Sequence, residues 1–413
     1  MSLFGNSNAR HSLTRRGLFR ATAATGVAAA AVELLAGCTN PADTGGLSSE
    51  PVVVDEETAT IALGDGSTFE YLDRPFDPIG QWSLPLGNVL HEAEGSWLPI
   101  TTAGSSASPM LTCSALSIAS GIFCEVVPEP ITPNAPNVVI YDARCSDSAY
   151  AWVELNTLDR SWSLYAAGFS EGSLVGNPST LWQSDPNWDP PRFAVTGDKV
   201  IWQVVPSLSG DKTAETSHCY LWRVGAGSAT AVVESLGRFA TAPSVSGNTV
   251  TLSPRVNNDE GVFYGITAYS LADDLATTID RLVMPESVRP FHAVRIGENF
   301  ALSVEASYGS GGLLGGMGTY IGTSSGDFVT VPREPFANIA GHDNVYVVKV
   351  RASYYVIDTQ NRTYTFLGAA SRCLDYGEYP ARVGQTDTFV SFSTIKDANT
   401  GYPASVLVRA FSL

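Results

Sequence analysis

AVTGDKVIWQVV (residues 194–205), SVSGNTVTLSP (244–254) and VRIGENFALSV (294–304) share one design: a short apolar strand, a glycine-led turn, and a second apolar strand. Gly197, Gly247 and Gly297 lie 50 residues apart and then 50 again. Looser copies follow at Gly341, 44 residues on, and Gly384, a further 43, and weaker ones precede them at Asp147 and Gly95. Seven copies over Trp82 to Leu413 give about 47 residues per unit, within the ~40 to 50 of a four-stranded propeller blade.

The unit around Gly197 predicts its own strands. RFAV (192–195) runs into a Gly-Asp turn, then KVIWQVV (199–205), a polar loop, CYLWRV (219–224), and ATAVVES (229–235) after GAGS. The second and third strands are nearly continuous apolar runs, as expected where both faces of a sheet are packed between neighbours. Composition agrees: 38 Gly, 24 Pro and only 16% charged residues describe a strand-and-turn chain rather than a helical or disordered one. The expected fold is all-β, a propeller of about seven four-stranded blades over 82–413. The last unit offers only three strands, so its fourth is expected from residues 58–81, with Thr58–Leu63 and Thr68–Leu72 as closing strands. Tyr354–Thr359 with Thr363–Phe366 is similar to the third and fourth strands of TolB-like and quinoprotein-like bacterial extracytoplasmic propellers. That resemblance implies architecture alone.

The N-terminus reads as an address. Thr14-Arg15-Arg16-Gly17-Leu18-Phe19-Arg20 resembles the twin-arginine consensus, an apolar run follows from Ala21, and Leu35-Ala36-Gly37-Cys38 resembles a lipobox. The expectation is a signal over 1–37, export by the twin-arginine pathway, and a mature chain starting at lipidated Cys38 on the extracytoplasmic face of the membrane. Residues 38–57 read as a flexible tether. Removing 1–37 lowers Lys+Arg from 24 to 20 and Asp+Glu from 41 to 40, so net charge moves from −17 to −20. Such a field repels nucleic acid and anionic headgroups, and the membrane is expected to be met only through the lipid.

Five further cysteines cannot all pair. Cys113 with Cys124 is the nearest local candidate for a disulfide. No C-x-x-C, no zinc-spaced Cys/His cluster and no cofactor motif is present, so neither a metal nor a cofactor is expected.

Long loops fall between second and third strands and between units, and these share one face of a propeller, where binding residues concentrate. Two segments there interleave aromatic rings with carboxylates: Trp182, Asp185, Trp188 and Asp189, and then Asp375, Tyr376, Glu378 and Tyr379. Rings that stack and acids that accept hydroxyl or ammonium hydrogens suit a glycan or a cationic peptide. Arginines also precede several inner strands, at Arg192, Arg238, Arg289, Arg333 and Arg382; pointing inward they form a cationic ring, and otherwise they pair with acids of the next blade. The sequence thus predicts a monomeric binding protein whose partner is a glycan, peptide or protein. Its rivals are an envelope glycan hydrolase or lyase using Asp185, Asp189, Asp375 or Glu378, and a scaffold without a pocket.

Overall fold

A computed structural model describes residues 52–53, 60–62, 68–103, 110–132, 137–258, 261–284, 288–304, 318–323, 327–332, 338–350, 353–374 and 377–413. Arg15, Arg16, Cys38, Arg333, Asp375 and Tyr376 lie outside the described residues. No helix among the described residues is long and apolar enough to cross a membrane.

The described strands form a β-propeller. Six sheets take their inner-to-outer strands consecutively from the chain, and a further sheet joins Tyr379–Pro380, Thr388–Lys396 and Pro403–Ser412 to Gly80–Pro85. The repeat around Gly197 gives Arg192–Thr196, Lys199–Val204, Ser217–Arg223 and Thr230–Ser235, paired antiparallel in that order. Gly197 takes φ +49°, the left-handed conformation a tight hairpin turn needs.

Packing follows from the apolar runs. In Lys199–Val204 every residue after Lys199 is buried, because each face of the sheet meets a neighbouring sheet. Trp202, Phe193 and Val200 pack with Leu164, Ala151 and Trp162 of the sheet before, while Ile201, Cys219 and Leu221 pack with Val250, Leu252 and Tyr269 of the sheet after. One such cluster holds Leu98, Ile100 and Leu116 of the first sheet with Val390, Val406 and Val408 of the last.

The N-terminal strands differ from expectation. Thr60–Ala62 adds in parallel to Phe328–Pro332, and Glu70–Tyr71 adds in parallel to Thr363–Leu367, each widening the outer edge of a different sheet. Gly80–Pro85 is the segment that pairs with the last sheet, with Val406 opposite Leu84 and Val408 opposite Trp82. The boundary drawn at Trp82 therefore cut through the relevant strand. Leu84 is buried against the joining cluster, whereas Tyr71 stays half exposed, so burial selects the later segment.

The Cys113–Cys124 disulfide is also corrected. Both are free thiols, as are Cys145, Cys219 and Cys373. A bulge after Cys113 sets it opposite Val127, while Cys124 lies opposite Ala115, so the two sulfurs are offset along the hairpin.

Candidate functional site

The first aromatic–carboxylate segment is assembled, but mostly for internal use. Trp182 ends the outer strand Ser173–Ser184 and packs its ring 4.7 Å from Tyr220 and 6.5 Å from Trp202. Trp188 accepts a hydrogen bond from Trp162 Nε1 on its carbonyl (3.0 Å), and Lys212 Nζ sits 5.0 Å over its ring. The long loop of the third sheet folds onto this turn, with Ser207 N donating to Asn187 O (2.7 Å) and Asp189 N donating to Val205 O (3.0 Å). Both indoles are half buried and wedge the junction of the second and third sheets. Asp185 is exposed and caps its own turn through Asn187 N (2.9 Å).

The second segment divides. Glu378 is fully buried and is corrected as a ligand contact: it takes Arg409 Nε at 2.7 Å and Nη2 at 2.5 Å, Ser391 Oγ at 3.2 Å and Ala370 N at 3.3 Å. Its acceptors are consumed by the last sheet. Tyr379 is exposed, its ring tilted 38° to Phe392 at 5.9 Å and 5.2 Å from Lys349 Nζ. The two segments connect different pairs of sheets, second to third and sixth to last, and their described residues do not meet.

The arginines converge in part. Arg192, Arg238 and Arg289 stand at the entrances of three successive inner strands. Arg238 pairs with Asp189 (Nη2 to Oδ2, 2.6 Å) and donates Nη1 to the Pro206 carbonyl, while its buried Nε has no partner among the described residues. Arg192 donates Nη1 to Ala240 O at 3.0 Å. Burial, then the charges of Arg238 and Arg289, lower the pKa of Arg192, and Asp189 and Tyr264 only partly offset them. Arg289 is exposed, with no hydrogen bond or ion pair among the described residues. Arg255 approaches the same Tyr264, its Nε donating to the phenol oxygen (3.0 Å). Among the described residues Arg238 alone bonds Asp189, while Arg192 lies close enough to Arg238 and Arg289 to feel both charges. Arg382 is not among them; it sits at the other end of the channel, its Nη2 on the Gly95 carbonyl.

That other end is closed. Gly384–Gln385 leaves its own sheet to pair in parallel with Ile339–His342, and Gln385 N donates to Ser246 Oγ (3.0 Å) across the axis. A Cβ on Gly384 would fall 2.2 Å from the Val245 carbonyl oxygen, so only glycine permits the crossing. Beneath it is a cavity of about 60 Å³ lined by Glu92, Arg144, Val195, Val245 and Arg382. It has room for a few waters, not a sugar.

Around it lie two sets of polar contacts that the sequence alone did not mark, coupled through the charge of Arg144. His91 Nδ1 lies 2.9 Å from Asp142 Oδ1, Arg144 holds the same oxygen, and Asn338 Nδ2 donates to Glu92 Oε1 at 2.5 Å. Burial pushes the Glu92 carboxyl up. Burial works on Asp142 too, but the Arg144 charge and the His91 hydrogen bond outweigh it and hold that group down. Asp142 and Arg144 two apart on an inner strand share a face, which was the available signal. Among the described residues no group of three or more His, Cys, Asp or Glu side chains is placed to hold a metal.

No protein-family model matches the sequence, and no curated protein matches it. Solved structures resemble it in fold. The β-propeller domain of the Trilobed protease from Pyrococcus furiosus, described as having an open velcro topology, aligns with TM-score 0.48 and 10% identity over 78% of this chain and 95% of that one. Acylaminoacyl peptidase from Pyrococcus horikoshii gives 0.44 and 10% over 79% and 51%, and yeast RCC1 (Prp20), solved with Kap60 bound, gives 0.44 and 8% over 87% and 94%. The chain spans about half the length of the peptidase chains it matches, and the likeness throughout is one of β-propeller fold.

Proposed function

We propose that this chain is an exported, lipid-anchored binding protein that receives a carboxylate-bearing peptide, protein or glycan on the loop-rich face of a closed, seven-bladed propeller. The observation that carries the reading is the mutual proximity of Arg192, Arg238 and Arg289, of which, among the described residues, only Arg238 is paired with a carboxylate, that of Asp189. Arg192 and Arg238 are partly buried and Arg289 is exposed beside them, and positive charge held in partly buried positions is costly unless an anion neutralises it. In a chain of net charge −17 it is also conspicuous, since the overall field disfavours anions and only a local site of this kind selects one. Arginine suits the role because its planar fork meets both oxygens of a carboxylate.

Closure is supported by the pairing of Gly80–Pro85 with Pro403–Ser412 and by the apolar cluster between first and last sheets. Anchoring rests on the twin-arginine and lipobox resemblances of 14–20 and 35–38.

Full-length protein in detergent, titrated with short peptides carrying a free or an amidated C-terminus and with uronate-containing oligosaccharides, tests the reading. Binding should require the free carboxylate and weaken at least about tenfold in Arg289→Glu, roughly 1.4 kcal/mol. Binding indifferent to amidation and to Arg289→Glu refutes it. Cys38→Ser should release the protein from membranes, and Arg15→Lys with Arg16→Lys should leave it inside the cell; membrane retention or continued export discards that part.

A further inference from the structure

On the short-turn face, opposite the arginine cluster, an open basin of about 460 Å³ lies over the seam between the last, first and second sheets. Trp82, Asp147, Arg382, Thr386 and Asp387 line it. A volume of this size falls among those that hold small ligands.

The indole of Trp82 is held in place by two missing side chains. A Cβ on Gly80 would come within 2.5 Å of its Cη2, and one on Gly121, which has φ +73°, within 2.5 Å of its Nε1. The ring is pressed against backbone at both ends, and the part left half exposed opens on the basin. A fixed aromatic surface costs little ordering entropy when a ligand stacks on it.

The polar rim is partly spent and partly free. Asp147 Oδ1 accepts from Ser96 N (2.7 Å) and Ser96 Oγ (2.9 Å), while Oδ2 has no such bond among the described residues. Arg382 is 6% exposed, and its Nε has no partner among the described residues. Asp387 has a side chain 87% exposed, with Oδ1 lying 2.7 Å from His342 Nδ1, so Oδ2 is the oxygen it offers the basin. Two carboxylates against one guanidinium leave no excess positive charge, so this basin does not suit an anion. Acceptors grouped beside a ring suit a ligand with an apolar face and many hydroxyl donors.

We propose that this basin binds the pyranose ring of a neutral glycan, its C–H face on Trp82 and its hydroxyls donating to Asp147 and Asp387. The site is separate from the loop-rich face and stands or falls independently of it.

Isothermal titration calorimetry of the full chain in detergent, with maltotetraose, cellotetraose, mannotetraose and chitotetraose as probes, tests this. At least one should bind with a Kd at or below about 1 mM. Because Trp82 also lies in the strand that pairs with the last sheet, Trp82→Ala is accompanied by two changes at exposed positions, Asp387→Ala and Ala119→Arg, the latter filling the basin rim. Each should weaken that binding by about tenfold or more, and Arg289→Glu on the other face should leave it unchanged. No binding by any of the four sugars at ~10 mM, well above the Kd expected for a stacked ring, overturns the proposal. So does binding that survives Asp387→Ala and Ala119→Arg intact.

Discussion

Replacing Glu378 by alanine removes the carboxylate that neutralises Arg409 inside the last sheet. The guanidinium is 11% exposed and its partner fully buried, so water does not replace the lost charge. Leaving one member of a buried ion pair unpaired costs about 3–5 kcal/mol. For a cooperatively unfolding body of roughly 350 residues, an unfolding entropy of ~2.1 cal/mol/K per residue makes each kcal/mol worth about 1.4 °C. Glu378→Ala should therefore lower Tm by about 4–7 °C in calorimetry at pH 7. Glu378→Leu with Arg409→Met, which removes both charges, should recover most of the loss, since apolar replacement of a whole buried pair is close to neutral. A single variant melting within about 1 °C of the parent would refute the reasoning and return Glu378 to the pool of exposed acids.

Other consequences are equally accessible. His292 is buried, and burial alone lowers its pKa to about 4 from 6.5. The unfolded chain takes up the proton first, so stability present above pH 6.5 is lost as pH falls toward 4, by about 3 kcal/mol; urea midpoints across that window should be flatter for His292→Gln, and an unchanged slope contradicts the burial. Gly384→Ala should cost upwards of 2 kcal/mol and Gly197→Ala about 1–2, because both have positive φ but only the former meets backbone within 2.2 Å; equal costs measured by chemical denaturation would deny the crossing strand. Iodoacetamide on the native protein should label Cys124 and Cys373 and spare Cys113, Cys145 and Cys219, whose thiols burial pushes up and hides. Peptide mapping that finds Cys113 joined to Cys124 would overturn the unbridged hairpin.

The sheet-forming repeat was legible because it is written in side chains. RFAV, KVIWQVV and CYLWRV appear as Arg192–Thr196, Lys199–Val204 and Ser217–Arg223, since apolar runs bounded by Gly-led turns leave few alternatives. The edges were not legible. Thr60–Ala62 and Glu70–Tyr71 join sheets through backbone hydrogen bonds over two or three residues, and such pairing imposes no pattern on the side chains. Pro380 and Gly384 break the inner strand of the last unit, and nothing local announces that Gly384–Gln385 leaves for the neighbouring sheet.

At the candidate site the sequence shows arginines ahead of successive inner strands and does not say which of them pair with acids. Arg192, Arg238 and Arg289 are separated by 46 and 51 residues and come near one another because they occupy similar places in successive units. Arg382 has the same local signature but sits in the unit whose inner strand is broken. Glu378 read as a surface acid because its partner, Arg409, is 31 residues away on another strand. Trp82, half exposed over the basin, reads in the sequence as the start of the first unit.

The account depends most on the pairing of Gly80–Pro85 with Pro403–Ser412, where Ser83 stands opposite Leu407. Facing strand positions are within the ~4.4–6.8 Å Cα separation that a disulfide spans. Mild oxidation of Ser83→Cys with Leu407→Cys should give an intramolecular cross-link in high yield, and Ile61→Cys with Leu407→Cys should give none. A cross-link through residue 61 and not through residue 83 would contradict the ring as drawn.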